Sequence, residues 1–138
     1  MKLSFRQAAI AGRSICFALA AVWMGAPQFI LWVWQINGSD STLLMARRGA
    51  ALFLGLAVML WLARNAENSP TRNAIAVGFS VSCAALAALG TFELVAGHVG
   101  IGILAAVTVE AMLALTFVAT AGYRVDRATA RRRARTVT

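Results

Sequence analysis

The chain has 138 residues, of which 60% are hydrophobic and 13% are charged, and its mean hydropathy is +0.74. Soluble domains carry about 25% charged residues, so this composition excludes a soluble globular protein and indicates an integral membrane protein. Lys and Arg outnumber Asp and Glu by 13 to 5, which gives a net charge of +8, and the basic residues separate long apolar segments.

Four apolar segments are long enough to cross a bilayer, which takes about 20 mostly apolar residues. Turn-forming residues at 37–40, 68–71 and 97–100 separate each segment from the next. The crossings are predicted at about residues 14–34, 43–63, 74–92 and 99–123. We therefore predict an all-α, polytopic membrane protein with four transmembrane helices in an antiparallel bundle. Residues 1–123 are expected to form this single domain, followed by a basic cytoplasmic tail at 124–138.

The first segment is predicted to be broken or kinked near Pro27, because proline removes a backbone hydrogen-bond donor. Either one kinked helix spans residues 14–34, or a helix of residues 8–26 crosses and residues 28–36 lie along the outer surface. Residues 28–36 include two tryptophans, and tryptophan prefers the membrane–water boundary. They favour the second arrangement without excluding the first.

A cleavable signal peptide is an alternative for this segment, because Lys2, Arg6 and Arg13 precede the apolar run. Proline directly after the small residues Gly25 and Ala26 disfavours cleavage there. We therefore expect the segment to be retained as a spanning helix.

Lys and Arg residues are distributed unevenly between the two sides of the predicted bundle. With four crossings, both termini and the second loop share one side, which carries Lys2, Arg6, Arg64, Arg72, Arg124, Arg127, Arg131, Arg132, Arg133 and Arg135. Arg47 and Arg48 lie on the opposite side. Because cytoplasmic loops carry an excess of these residues, both termini are predicted to be cytoplasmic.

The basic tail provides a candidate contact with anionic lipid head groups, since each basic residue near an anionic leaflet adds roughly 1 kcal/mol of attraction. The candidate residues are Arg124, Arg127, Arg131, Arg132, Arg133 and Arg135. The alternative is that they only fix the topology. The tail is short and lacks interleaved aromatic residues, so membrane lipids are the expected partners and nucleic acid is not.

Glu110 is the ionisable residue closest to the middle of a predicted crossing, where a charge is costly by about 2.5–3.5 kcal/mol. It lies in line with Gly102, Ala106 and Ala114 at helical spacing, which predicts that it faces another helix rather than lipid. Such a carboxyl either carries protons or a cation, or forms an assembly contact. Arg13, near the start of the first helix, is expected to reach the head groups, although a pair with Glu110 is an alternative.

A second polar group is expected at the outer rim, where Asp40, Arg47, Arg48, Glu93 and His98 fall at similar depth. Opposite charges there would pair or bind an anionic or zwitterionic head group, and histidine can add a response to pH. The alternative is a set of ordinary interfacial residues.

The sequence contains no nucleotide-binding loop, no zinc-protease motif and no set of residues placed for acyl transfer. Cys16 and Cys83 lie inside apolar runs without paired spacing, so we expect neither a disulfide nor a metal site. No cofactor and no enzymatic activity are predicted.

The motifs Ala-Arg-Arg-Gly at 46–49, Trp-Leu-Ala-Arg-Asn at 61–65 and Ser-Pro-Thr-Arg-Asn-Ala-Ile at 69–75 resemble those of uncharacterised small bacterial four-helix integral membrane proteins. This resemblance implies an architecture and a bacterial cytoplasmic (inner) membrane location, but no activity. Small multidrug exporters are similar in size but carry their essential glutamate in the first helix, where this chain has none. The motif of the membrane glutathione enzymes is also absent.

Small residues also line the third segment, at Ala74, Gly78 and Ser82, which permits close packing with another helix. With few embedded polar groups and no catalytic set, this pattern favours an accessory subunit of a larger membrane complex or a self-assembling homo-oligomer. The alternative is a small proton- or cation-coupled carrier, or a lipid-binding protein, that uses Glu110 or the outer rim. A membrane enzyme acting on a lipid or isoprenoid is a third interpretation.

Overall fold

A computed structural model of the protein describes residues 4–122, and within this range the chain is helical apart from turns and short connections. Five helices follow in chain order: α1 (Phe5–Gly25), α2 (Pro27–Val33), α3 (Asp40–Ala63), α4 (Pro70–Val95) and α5 (Ile103–Gly122). The four long helices α1, α3, α4 and α5 are each long and apolar enough to span a bilayer. The predicted all-α architecture with four spanning segments is confirmed.

Serine side chains determine where three of the helices begin. Ser4, Ser39 and Ser69 each accept a hydrogen bond on Oγ from the backbone N–H three residues later, which satisfies a donor that the helix itself leaves unpaired. As a result α3 begins at Asp40 and α4 at Pro70, about one turn before the positions predicted from hydropathy. Capping residues and the first turn after them are largely polar, so a prediction from hydropathy places the start of the helix too late.

The break predicted near Pro27 is present, and it separates two helices. α1 ends at Gly25 and α2 begins at Pro27, with Ala26 between them at φ −140° and ψ 56°. Proline is well suited to the first position of a helix, where its missing N–H has no partner to lose. The single kinked helix over residues 14–34 is therefore not formed, and most of the 28–36 stretch belongs to a short helix of its own.

α2 closes with a left-handed turn that sends the chain back toward the bundle. Gln35 has φ 58°, and the N–H of Ile36 donates to the carbonyl oxygen of Leu31 at 2.9 Å, which is a common way for a helix to end. Beside this turn the carbonyl oxygen of Trp34 accepts a hydrogen bond of 2.7 Å from the N–H of Gly100. The end of α2 is thereby joined to the α4–α5 connection.

The bundle consists of two antiparallel helix pairs, since α1 packs along α3 and α4 packs along α5. The pairs meet through α1 and α5, around the fully buried Phe117. Its ring centroid lies 4.6 Å from that of Phe79 and 6.3 Å from that of Phe5. Gly12 permits this approach, because a Cβ atom there would lie only 3.0 Å from Leu60 and 3.2 Å from Phe117.

The buried side chains that join the two pairs form the core cluster: Phe5, Ala8, Ala9, Cys16, Ala57, Leu60, Ala63, Ala76, Phe79, Cys83, Leu113, Ala114, Phe117 and Ala121. On α5 it reaches from Leu113 to Ala121. The core cluster therefore lies toward the end of the bundle that holds Ser4 and Gly122, called the terminal end below. The opposite end, with residues 34–39 and 96–102, is called the loop end.

At the loop end the contact between α2 and the start of α5 depends on Gly102. A Cβ atom on this residue would collide with the carbonyl oxygen of Val33, which is a backbone atom and cannot rotate aside. We predict that Gly102→Ala lowers the free energy of unfolding by about 1–3 kcal/mol, because α2 must move away. The measurement is thermal unfolding of the purified protein in detergent.

Gly55→Ala is the matched control, since a Cβ atom on Gly55 meets nothing within 4 Å. Its unfolding temperature should not fall, and it should rise slightly because alanine favours a helix more than glycine does. Equal unfolding temperatures for Gly102→Ala and the native protein would contradict the close approach.

Candidate functional site

Glu110 lies on the inward face of α5. It is placed seven residues from the buried Ile103 on one side and seven from the buried Phe117 on the other, a spacing that puts all three on one face of the helix. The core cluster nevertheless includes α5 side chains only from Leu113 onward, on the terminal side of Glu110. The carboxyl thus sits where the two helix pairs stop sharing buried side chains, and it stays partly exposed.

Within residues 4–122 the Glu110 carboxyl forms no hydrogen bond and no ion pair. Cys83 of α4 lies within electrostatic reach of it. Arg13, the alternative partner considered from the sequence, stacks on Trp61 instead. An embedded carboxyl without a partner is unusual, because membrane-embedded ionisable side chains normally pair with one another or with backbone groups.

The small-residue line of α5 is used inside the chain. The buried Ser80 hydroxyl of α4 donates a hydrogen bond of 2.8 Å to the carbonyl oxygen of Ala114, one turn from Glu110. Gly102, two turns from Glu110 in the other direction, packs on Val33. Both contacts hold α5 against the rest of the bundle, so the face that carries Glu110 is turned toward other helices of the same chain.

The residues of the outer rim do not form one charged network among the described residues. The His98 Nδ1 and a carboxylate oxygen of Glu93 lie 2.7 Å apart, and the His98 side chain is 66% exposed. Arg47 and Arg48 are exposed on α3 and have no carboxylate within ion-pair distance in the described part of the chain. Asp40 stands in the first turn of α3, where a negative charge interacts favourably with the helix N-terminus.

Two further groups of residues were considered from the sequence, the cysteines and the basic tail. Cys16 and Cys83 are free and buried, and across residues 4–122 no three His, Cys, Asp or Glu side chains are grouped so as to hold a metal ion. The six tail residues proposed for lipid contact lie outside the described residues: Arg124, Arg127, Arg131, Arg132, Arg133 and Arg135.

One arrangement was not predicted from the sequence. The guanidinium carbon of Arg13 lies 4.2 Å from the ring centre of Trp61, and that of Arg64 lies 3.5 Å from the same ring. Arg64 also donates a hydrogen bond to the Trp61 carbonyl oxygen. The spacing of Trp61 and Arg64 is visible in the sequence as a pair three residues apart on one helix. The contact of Arg13 depends on how α1 packs against α3. Arg13, Trp61 and Arg64 are called the arginine–tryptophan cluster below.

Next to this cluster an open groove of about 410 Å³ runs between α1 and α3. Arg13 and Trp61 line it at one end, and its other lining residues include Phe17, Leu54 and Val58. Apart from Ser14, the groove is therefore lined by apolar side chains, and it is cationic at the end nearest the terminal end of the bundle. Its volume lies within the range of small-molecule binding sites.

We predict that Glu110→Leu stabilises the isolated protein by about 2 kcal/mol, because an embedded carboxyl without a partner costs free energy that leucine does not. The measurement is thermal unfolding in detergent, where the unfolding temperature should rise. Glu93→Gln is the control, since Glu93 already pairs with His98 at the loop end and its loss should not raise this temperature. A lower unfolding temperature for Glu110→Leu would show that the carboxyl has a partner within the chain.

No protein-family model matches the chain, and no curated protein or solved structure is significantly similar to it. The resemblance to small bacterial four-helix membrane proteins accordingly stays a prediction, and function is inferred from the geometry of the described residues.

Proposed function

We propose that this protein is a non-catalytic membrane subunit, either self-assembling or accessory to a larger membrane complex, which associates through the outer face of α4. The observation that supports this proposal is a row of small residues, Ala74, Gly78 and Ser82, on the exposed side of α4. A Cβ atom on Gly78 would meet no atom within 4 Å. No other described residue therefore covers the surface of α4 at Gly78.

Small residues on a membrane helix matter because lipid tails are as apolar as leucine, so helices associate through close packing rather than through exclusion from water. The opposite face of α4 is already occupied, since Ala76, Phe79 and Cys83 belong to the core cluster. The outer row has no such use within residues 4–122. A second helix approaching it would gain the van der Waals contacts that glycine and serine allow.

The surroundings of this row suit a partner helix. Val81 is 62% exposed and Leu89 is 55% exposed, so larger apolar side chains stand beside the small ones. A neighbouring helix could rest its backbone over Gly78 and pack its side chains against these two residues. Such alternation of small and large residues is typical of interfaces between membrane helices.

We further propose that the subunit resides in a bacterial inner membrane with both termini cytoplasmic and the basic tail against anionic head groups. Arg64 and Arg72 support this orientation, since both flank the short α3–α4 connection at the terminal end. Arg47 and Arg48 lie nearer the loop end and are outnumbered by the basic residues of the other side.

The assembly proposal predicts that Gly78→Leu weakens association about tenfold, because a leucine holds the partner backbone away. The same leucine fits the isolated chain, where the position is open. The measurement is the size of the complex extracted gently from native membranes, by native gel electrophoresis, with mass spectrometry to distinguish extra copies from a different protein.

Gly55→Leu is the matched control, because Gly55 is likewise exposed with no atom near its Cβ position, but it lies on α3. Its complex should keep the native size. A native protein that runs as a monomer, or equal losses in the two variants, would contradict association through α4.

A second candidate function is supported by the unpartnered Glu110. A partly exposed carboxyl on the inward face of a spanning helix is the arrangement in which proton or cation carriers hold their coupling group. Under this proposal Glu110 takes up and releases a proton or a small cation as the two helix pairs alternate in their exposure of it.

This second candidate predicts that liposomes containing the protein conduct protons faster than empty liposomes, and that Glu110→Gln abolishes the difference. The measurement is the fluorescence of a trapped pH indicator after a potassium gradient is applied with valinomycin. Glu93→Gln, which changes a carboxyl at the loop end, should retain the native rate. An absence of proton flux with the native protein would contradict proton carriage and would leave the α4 proposal unaffected.

A further inference from the structure

We propose that the groove between α1 and α3 binds one anionic phospholipid, with its phosphate at the arginine–tryptophan cluster and an acyl chain along the groove. This site lies on the α1–α3 pair, whereas the proposed assembly face lies on α4 and Glu110 lies on α5. It is therefore independent of both functions proposed above.

The arginine–tryptophan cluster carries two positive charges close together. Arg13 and Arg64 both lie within 4.2 Å of the ring centre of Trp61, so their separation does not exceed about 8 Å, the Debye length at physiological ionic strength. Neither has a carboxylate within ion-pair distance among residues 4–122. Two cations held so close repel each other, and an anion bound beside them offsets that repulsion.

The arginine–tryptophan cluster is held in place by contacts within the chain. The Trp61 ring attracts both guanidinium groups by cation–π interaction, and Arg64 is further held by its hydrogen bond to the Trp61 carbonyl oxygen. A guanidinium carries five N–H donors. One nitrogen of Arg64 donates to the Trp61 carbonyl oxygen. The remaining donors suit phosphate oxygens, which arginine binds in a fork.

The groove has the shape of a channel for an acyl chain. From Trp61 to Leu54 it follows about two turns of α3, or about 10 Å along the helix axis. Phe17 and Val58 form apolar walls, and the buried Ala57 lies between them with a small side chain. A cationic end joined to an apolar channel matches a phosphate joined to an acyl chain.

The position of Trp61 agrees with a lipid rather than a soluble anion. Tryptophan in membrane proteins concentrates at the head-group level, and Trp61 lies two residues before the end of α3. The phosphate would therefore lie at the depth where a phospholipid carries it, with the chain directed toward the middle of the bilayer.

The test is binding of dioleoyl phosphatidylglycerol to the full-length, delipidated protein in detergent, followed by native mass spectrometry. We expect one tightly bound lipid, and a loss of affinity of about tenfold or more in the variant R13Q/R64Q. R47Q/R48Q removes the same amount of charge from exposed arginines that do not stack on tryptophan, and it should bind within about twofold of native. R13K/R64K keeps the charges without the fork and should fall between the two.

The groove is tested separately with V58W, which fills it from an exposed position, and with soluble glycerol 3-phosphate. We expect V58W to weaken phosphatidylglycerol binding about tenfold, and glycerol 3-phosphate to bind far more weakly than the lipid. Circular dichroism establishes that each variant folds, and R13K/R64K provides the charge comparison if R13Q/R64Q does not fold.

Three results would overturn the proposal. Equal losses in R47Q/R48Q and R13Q/R64Q would mean general attraction between a basic protein and an anionic lipid. Equal affinity for glycerol 3-phosphate and the lipid would mean an anion site without an acyl channel. Dimerisation in lipid-free detergent that R13Q/R64Q abolishes would mean that a second copy occupies the groove.

Discussion

Close approach between helices at small residues is the interaction on which the rest of this bundle depends. Lipid offers apolar side chains the same environment as a neighbouring helix, so contact must be gained by packing. After Phe5 the buried face of α1 carries small residues alone: Ala8, Ala9, Gly12, Cys16 and Ala20. They let Phe117 and Leu60 fit against the α1 backbone, and this fit joins the two helix pairs at the terminal end. At the loop end, Gly102 gives the same access to α2.

The polar side chains inside the spanning segments differ in how their polar atoms are satisfied. Ser80 donates to a backbone carbonyl of the facing helix and so contributes to packing alone. Arg13 lies about two turns into α1, and its guanidinium stacks on the Trp61 ring. Glu110 has neither kind of partner in the described part of the chain. The contacts of Ser80 and Arg13 contribute to folding, whereas Glu110 makes no such contact among the described residues.

Much of the fold follows from the sequence, because the length of an apolar run and the position of Pro27 are local properties. Four helices long and apolar enough to cross a bilayer and a break in the first segment were predicted on these grounds and are present. The inward direction of Glu110 also followed from its small neighbours at helical spacing. The helix starts at Asp40 and Pro70 were placed about a turn late, since polar caps leave no mark on hydropathy. The contact of Arg13 with Trp61 could not be predicted, because it depends on the register of two helices far apart in sequence.

During synthesis α2 is made well before the glycines on which its end rests. The end of α2 leaves the ribosome when α1 is already complete. Gly100, which donates a hydrogen bond to Trp34, and Gly102, which packs on Val33, follow only after α3 and α4. The α1–α3 pair can therefore assemble before the end of α2 contacts the α4–α5 connection. The turn at Gln35 forms this contact when the α4–α5 hairpin has been made. Insertion of this small protein would then end when the α4–α5 connection binds the end of α2, and a chain interrupted after α4 would lack this contact.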